Sequence, residues 1–167
     1  MSAVVVFFEI PQSAPGRLFI GPRPQADFVE RWAMEAKGLG VERVVCLMLD
    51  GEMEAKGIGR EKPVLATHGI AFTHFPIHDF GTPDTPVARD GYADLITEIT
   101  DQLAVGTSIM IHCSSGVGRA GTTCSCVLVA QGTSPDDAMQ TVSTARVRRV
   151  PETDDQIAFV RAFSPER

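Results

Sequence analysis

The sequence predicts an α/β fold with a mainly parallel central sheet and helices on both faces. Apolar runs of strand length alternate with segments that carry apolar residues at helical spacing. The run "VERVVCLML" is nearly continuously apolar, which is typical of a strand buried on both faces. Alternating strands and helices favour parallel pairing, because the connecting helices then cover the sheet. With 167 residues, 44% of them hydrophobic, residues 1–167 are expected to form one domain.

Five segments are predicted to be strands. The N-terminal run "MSAVVVFFEI" is too short for a signal peptide and lacks a basic leader, so we interpret it as a strand. A turn, "PQSAPG", separates it from the next strand. The predicted strands are Val4–Ile10, Arg17–Gly21, Val41–Leu49, Ile70–Ile77 and Thr107–His112.

Six helices are predicted between and after these strands, and two further segments are predicted to be loops. Ser134 followed by Pro135 is a typical helix start. The polar segment "DGEMEAKGIGR" (50–60) is predicted to be a loop, and the glycine and prolines of "HDFGTPDTP" predict an ordered loop. The predicted helices are Gln25–Lys37, Pro63–His68, Ala88–Val105, Ala120–Gln131, Pro135–Thr144 and Thr153–Phe163.

Composition argues against several classes of function. The formal net charge of −6 disfavours a general binder of nucleic acid or of anionic membranes, so an anionic ligand must be captured by a local pocket. No apolar run has the length of a bilayer-spanning helix. The four cysteines lack zinc-type or disulfide-framework spacing, and we expect a reducing cytoplasm. His68, His74 and His78 show no ligand-like clustering, so neither a metal nor a cofactor is expected.

The stretch "IMIHCSSGVGRAGTT" contains most of the candidate catalytic and ligand-binding residues. Ligands of open α/β sheets bind at the carboxyl ends of the strands, where Cys113 lies. The loop after it leads into a helix N-terminus, and its glycines allow the backbone N–H groups to surround a tetrahedral anion. Arg119, six positions after Cys113, can grip two phosphate oxygens at once. The predicted phosphate-binding residues are Ser114, Ser115, Gly116, Val117, Gly118 and Arg119.

The same positive surroundings predict that Cys113 is a nucleophile. Helix N-termini and neighbouring arginines lower the pKa of cysteine from about 8.5 to roughly 3.5–7.5, which favours the thiolate at neutral pH. The alternative is a core cysteine before an ordinary turn. Expelling the alcohol from a phosphate ester also needs a proton donor. Asp79, Asp84 and Asp90 are the candidates, and Asp79 is preferred because it directly follows a predicted strand.

Four segments resemble the cysteine-dependent protein tyrosine phosphatases, especially the small dual-specificity type. "HCSSGVGRAGT" resembles their His-Cys-x5-Arg signature, and "FPIHDFGTPD" their general-acid loop, most closely that of kinase-associated phosphatases. "RVRRVPETDDQIAFVRAF" is similar to their Arg-rich turn and last helix, and the resemblance also includes "RLFIGPRP" near the start. The resemblance covers nearly the whole chain. It implies a Cys-x5-Arg loop between the last central strand and a helix, a phosphocysteine intermediate, no metal, Asp79 as the acid and His112 as a supporting residue.

One position departs from the family pattern. The family usually has Ser or Thr directly after the arginine, and its hydroxyl helps the thiolate to leave; this chain has Ala120. Thr122, Ser114 or Ser115 remain open as substitutes. We therefore expect slow turnover, limited by hydrolysis of the phosphoenzyme.

Other polar residues allow two interpretations. Arg146, Arg148 and Arg149 are either a second phosphate site or cations that balance a helix C-terminus. Gln156 matches the late Gln of the family, with an open role. A Cys46–Cys113 disulfide would depend on the distance between the two Cα atoms. Cys124 and Cys126 are expected to be small core residues on opposite sides of a helix.

The leading hypothesis is a metal-independent phosphatase for phosphotyrosine, with phosphoserine and phosphothreonine left open. The chain lacks an evident Asn-Arg-Tyr-bearing recognition loop and is short, which indicates a shallow pocket. The loop "SSGVG" has no lysine, so phosphoinositides are less favoured.

The main alternative is a weakly catalytic phosphate-binding module. In low-molecular-weight phosphatases and arsenate reductases the Cys-x5-Arg loop lies at the start of the chain, and in rhodaneses the loop is shorter. These classes of protein are therefore less favoured. The expected partner is a phosphorylated protein or peptide, the loop is expected to accept phosphate or sulfate, and the protein is expected to be a monomer.

Overall fold

The computed structural model describes residues 7–165, in which five strands form one sheet with the order β1-β2-β5-β3-β4. β2, β5, β3 and β4 are parallel, and β1 pairs with β2 in the antiparallel sense. The strands are β1 (Phe8–Ile10), β2 (Leu18–Gly21), β3 (Arg43–Cys46), β4 (Ala71–His74) and β5 (Ile109–His112). The predicted fold class is confirmed.

Seven α-helices connect and follow these strands within the same residues, and a 3₁₀ turn (Ala26–Phe28) leads into the first. They are α1 (Val29–Gly38), α2 (Asp50–Ala55), α3 (Glu61–Thr67), α4 (Pro86–Ala104), α5 (Arg119–Ala130), α6 (Pro135–Arg146) and α7 (Asp154–Ala162). In residues 7–165, no helix has the length and apolar character needed to cross a bilayer.

The helices cover both faces of the sheet. One core cluster packs Ile109 and Ile111 of β5 against the helices α4 to α7. A second packs Met110 against α1 and α3, where Trp32 and Leu65 are buried. Alternate β5 residues thus enter opposite clusters, as the period of two along a strand requires. His112 therefore faces α1 and α3, and the site beyond β5 starts from a strand buried on both faces.

Two predictions about elements need correction, and a third lies partly outside the described residues. Residues 50–60 are not simply a loop, because they contain α2, whose residue Met53 is buried against the sheet. β3 is shorter than the predicted strand Val41–Leu49. Buried residues continue to Met48, but only Arg43–Cys46 pairs with neighbouring strands on both sides. Of the predicted strand Val4–Ile10, the first three residues lie outside the described residues.

Candidate active site

The Cys–Arg loop (residues 113–119) lies at the carboxyl end of the parallel strands. Cys113 follows β5 directly, and α5 begins at Arg119. Gly116 has a φ of 71°, and a Cβ atom there would lie 2.2 Å from the carbonyl carbon of Gly21. Only glycine fits this position, because the loop turns back against the end of β2.

Three carbonyl groups of this loop are bound on its outer side. The backbone N–H of Arg23 donates to the carbonyl of Ser114 at 3.1 Å. Arg146 donates from Nε to Gly116 and from Nη2 to Ser115, both at 3.0 Å. Among the described residues, the backbone N–H groups between the cysteine and the arginine donate to no other group of the chain. Unpaired N–H groups in a loop before a helix N-terminus are suited to bind an anion.

The guanidinium of Arg119 is buried and bound by Glu52, which lies in the segment predicted to be a loop. Nη1 donates to Oε2 of Glu52 at 2.8 Å, and Nη2 donates to Oε1 at 2.7 Å. Burial lowers the pKa of Arg119, but the hydrogen bond to Glu52 and nearby negative groups raise it overall. The same hydrogen bond holds the pKa of Glu52 below its ordinary value. Nε of Arg119 is buried and has no partner within residues 7–165, so it remains available as a donor to a ligand.

Asp79 approaches the same guanidinium from the loop after β4. Its Oδ1 lies 3.2 Å from Nη2 of Arg119 and accepts a hydrogen bond from the N–H of Phe80 at 3.0 Å. The side chain is 54% exposed, so it reaches both solvent and the pocket. Asp79 does not directly follow a strand, because β4 ends at His74. Residues 75–77 continue along the end of β3 through backbone hydrogen bonds, which explains the predicted longer strand.

The other two candidate acids lie away from the guanidinium. Asp84 is exposed in the loop before α4, and Asp90 is exposed in the second turn of that helix. The helix begins at Pro86, earlier than predicted, because the hydroxyl of Thr85 caps it. Of the three candidates, all of them described, only Asp79 contacts Arg119.

His112 lies beneath the loop, fully buried. Its Nδ1 donates to the carbonyl of Cys113 at 3.0 Å, and its Nε2 lies 2.6 Å from Oε1 of Glu61 in α3. The ring packs edge-on against Trp32. His112 therefore ties the start of the Cys–Arg loop to a helix on the opposite face of the sheet.

Gln156 joins the acid loop to α7. Its Oε1 accepts hydrogen bonds from the N–H groups of Glu152 and Thr153, and its Nε2 donates to the carbonyl of Gly81 at 3.3 Å. A Cβ atom on Gly118 would lie 3.0 Å from this Nε2. The buried amide thus lies between the two loops of the site.

The position after the arginine offers no hydroxyl group. Ala120 is buried, and the hydroxyl of Thr122 donates to the carbonyl of Gly118 at 2.8 Å. That hydrogen bond commits the proton of Thr122 to the first turn of α5. Ser114 is partly exposed and Ser115 is exposed.

The three arginines near the end of α6 have separate surroundings. Arg146 is the last residue of α6, at the helix C-terminus as one of the two interpretations had it, and it also donates to the Cys–Arg loop from behind. Arg148 and Arg149 line an open groove of about 560 Å³ beside α7. The groove also contains Asp136, which is paired with Arg161 at 2.9 Å.

All four cysteines are free thiols. Cys46 pairs in register with His112 and packs against Met53, whereas Cys113 belongs to the core cluster on the other side of the sheet. A Cys46–Cys113 disulfide is therefore not formed. Burial raises the pKa of Cys126 to about 12 and that of Cys124 well above its ordinary value. Both are inert core residues.

Comparisons with known proteins identify the family. The chain matches a family model described as "Swiss Army Knife protein, DSP-PTPase phosphatase domain" over residues 13–167. The chain belongs to this family of dual-specificity phosphatase domains. It is 25% identical over 137 residues to human cyclin-dependent kinase inhibitor 3, covering 81% of this chain and 63% of that protein. It is 26% identical over 153 residues to the mouse protein tyrosine phosphatase domain-containing protein 1, covering 85% of this chain and 20% of the relative. The chain thus spans less than two thirds of the length of these curated relatives.

Solved structures share the fold. Kinase-associated phosphatase, crystallised with its catalytic-site cysteine changed to serine, matches with a TM-score of 0.85 and 20% identity, covering 96% of this chain and 94% of that one. The active form of Tk-PTP matches with a TM-score of 0.71 and 24% identity, covering 87% and 90%. Together with the family model over residues 13–167, these matches confirm the resemblance to small dual-specificity phosphatases.

Proposed function

We propose that this protein hydrolyses phosphotyrosine, and also phosphoserine and phosphothreonine, in phosphorylated proteins through a phosphocysteine intermediate. The observation that carries the proposal is the set of unpaired donors at the end of β5: the N–H groups of the Cys–Arg loop and Nε of Arg119. These donors match the oxygens of a phosphate monoester. Membership of a phosphatase family supports the same class of reaction.

In the first proposed step, the thiolate of Cys113 attacks phosphorus. The S–P bond forms while the bond from phosphorus to the ester oxygen breaks. Asp79, in its protonated form, gives its proton to the leaving oxygen, so that an alcohol or phenol departs. Arg119 and the loop N–H groups stabilise the charge on the three equatorial oxygens of the transition state.

In the second step, water attacks the phosphocysteine. The carboxylate of Asp79 accepts a proton from the water, the S–P bond breaks, and inorganic phosphate leaves with Cys113 again a thiolate. Without a hydroxyl on Ala120, nothing at that position stabilises the departing sulfur. We propose that this step limits turnover.

A direct experiment compares the wild type with Cys113→Ser on p-nitrophenyl phosphate and on phosphotyrosine, phosphoserine and phosphothreonine peptides. The serine variant should bind the peptides and hydrolyse none, because a neutral hydroxyl replaces the thiolate. Arg119→Lys is the matched control for binding: it keeps the charge but loses the planar fork, and should weaken binding and turnover together. Hydrolysis that survives Cys113→Ser would discard the nucleophile assignment.

The alternative, a phosphate-binding module without turnover, has Ala120 as its only support and is not favoured. A binding module needs neither a nucleophile nor an acid, yet this chain carries both beside Arg119. Binding of a phosphotyrosine peptide without hydrolysis by the wild type would support it.

We also propose that the protein works in a reducing cytoplasm, because such a compartment suits a nucleophile that acts as a free thiolate.

A further inference from the structure

Glu61 is a buried carboxylate to which the proposed reaction assigns no task. Its side chain and that of His112 are both 0% exposed, and Oε1 of Glu61 lies 2.6 Å from Nε2 of His112. The second oxygen, Oε2, has no partner among the residues of the structure. Carboxylates are rarely buried completely, because desolvation is costly unless a partner offsets it. The pair lies under the site, on the face of the sheet that α1 and α3 cover.

The contacts of His112 restrict where its protons lie. The carbonyl of Cys113 can only accept a hydrogen bond, so Nδ1 carries a proton. The short contact at Nε2 then has two forms: an imidazolium that donates to a carboxylate, or a neutral ring that accepts from a carboxylic acid. Carboxylates bind protons more weakly than imidazole by about two pKa units in water, which favours the imidazolium.

We infer that Glu61 is a positioning residue for the nucleophile, holding His112 as an imidazolium whose Nδ1–H stays fixed on the carbonyl of Cys113. This inference rests on the proposed function, in which Cys113 reacts as a thiolate. The charged ring then lies one residue before the sulfur, and the carboxylate lies on its far side. The positive end of this pair therefore faces the Cys–Arg loop and favours the negative form of the sulfur.

The surroundings of the ring agree with this state. Glu61 faces it from α3 and Cys46 from β3, Cys113 is its neighbour along the chain, and α1 contributes the uncharged ring of Trp32. Burial lowers the pKa of His112, but the charge of Glu61 and the contact with Cys46 raise it well above 6.5 overall. The imidazolium is thus expected to persist through neutral pH.

A metal ion is the other occupant that these side chains suggest, since ligand atoms of Cys46, Glu61 and His112 lie within 4.8 Å of one another. The distance from Oε1 to Nε2, 2.6 Å, is that of a hydrogen bond. Two ligands bound tetrahedrally to zinc at about 2.0–2.2 Å would be separated by more than about 3 Å. The geometry therefore places a proton, rather than a metal, between the two residues.

Nitrogen NMR of the ring in the wild-type protein tests the inference directly. The signals of His112 are assigned by their loss in His112→Asn and followed from about pH 5 to about pH 9. Both ring nitrogens should stay protonated past neutral pH. A neutral ring at neutral pH, with Nε2 unprotonated, would overturn the inference. So would a stoichiometric change of these signals on adding Zn²⁺ that Cys46→Ser abolishes.

The effect on the nucleophile is measured by alkylation of Cys113 with iodoacetamide as a function of pH. Glu61→Gln keeps the size of the side chain and removes its charge, so the midpoint should rise by about 0.5–1 pH unit, which is about 3–10-fold slower alkylation below the midpoint. Glu54→Gln removes the same charge from an exposed residue of α2 and should leave the midpoint unchanged. Equal midpoints for Glu61→Gln and wild type, with both folded by circular dichroism, would refute the role of Glu61.

These readouts separate the inference from the proposed function. A protein that shows the protonated ring and the shifted alkylation but hydrolyses no phosphate ester would retain the inference and lose the function. An active phosphatase with a neutral His112 would lose only the inference.

Discussion

Replacing Glu52 with Gln tests how the buried guanidinium of Arg119 is held. The variant keeps one acceptor oxygen but loses the charge and one of the hydrogen bonds at 2.7 and 2.8 Å. Because Arg119 is only 1% exposed, water cannot replace the lost acceptor. Hydrogen bonds to charged groups contribute about 1.5–3 kcal/mol, so we expect the free energy of unfolding to fall by about 2–3 kcal/mol. For a chain of this size, that loss lowers Tm by about 4–12 °C.

The loss should depend on pH in a defined direction. The pKa of Glu52 in the folded protein lies below its ordinary value, mainly because of the hydrogen bond from Arg119. A carboxyl group with a lowered folded-state pKa stabilises the fold fully above its unfolded pKa of about 4.3. That contribution disappears as the pH falls through the folded-state value. The difference between wild type and variant should therefore be constant near neutrality and shrink below about pH 4.

Urea unfolding followed by the fluorescence of Trp32 at neutral and acidic pH measures both effects. Glu54→Gln is the control, since Glu54 is exposed in the same helix, and its effect should stay below about 0.5 kcal/mol. Because Arg119 loses its orientation, kcat/KM of Glu52→Gln should also fall by about 10–100-fold. Equal losses of stability in the two variants, or a loss for Glu52→Gln that is the same at both pH values, would refute this reasoning.

Three further predictions concern the reaction and the loop. Asp79→Asn should reduce kcat by about 10²–10⁴-fold for phosphotyrosine peptides and less for substrates whose leaving group needs no proton; the same reduction for both would contradict its role as the acid. We expect the wild type to give a burst of p-nitrophenol in rapid-quench experiments, and Ala120→Ser should diminish that burst and raise steady-state turnover; an unchanged rate would show that hydrolysis of the phosphoenzyme is not limiting. Gly116→Ala should destabilise the protein and abolish phosphate binding by calorimetry, because the added Cβ would lie 2.2 Å from the backbone of Gly21. Full phosphate affinity in this variant would mean that the loop has another conformation.

Most of the predicted parts of the site are close along the chain; Asp79 is the exception, and it was predicted from its place after a strand and from the family resemblance. The strand, the cysteine, the glycines and the arginine occupy one continuous stretch, and each has a local physical requirement. Glu52 was missed because its segment is polar and has three glycines, and because α2 has only six residues. The signal for Glu52 in the sequence was its position three residues after Leu49. At the start of α2, the carboxylate of Glu52 accepts a hydrogen bond from the N–H of Leu49.

Local patterns of apolar residues and turns were sufficient for the fold class, the position of the Cys–Arg loop and the family resemblance, because secondary structure and loop conformation depend mainly on neighbouring residues. The partners of the site residues were decided by the order of the strands. β3 lies beside β5, so α2 and α3, which follow β3, bring carboxylates to residues far away in sequence. Glu52 binds Arg119 across 67 positions, and Glu61 binds His112 across 51. Such pairs cannot be predicted from periodicity in the sequence, because burial and charge pairing arise only when distant segments pack together.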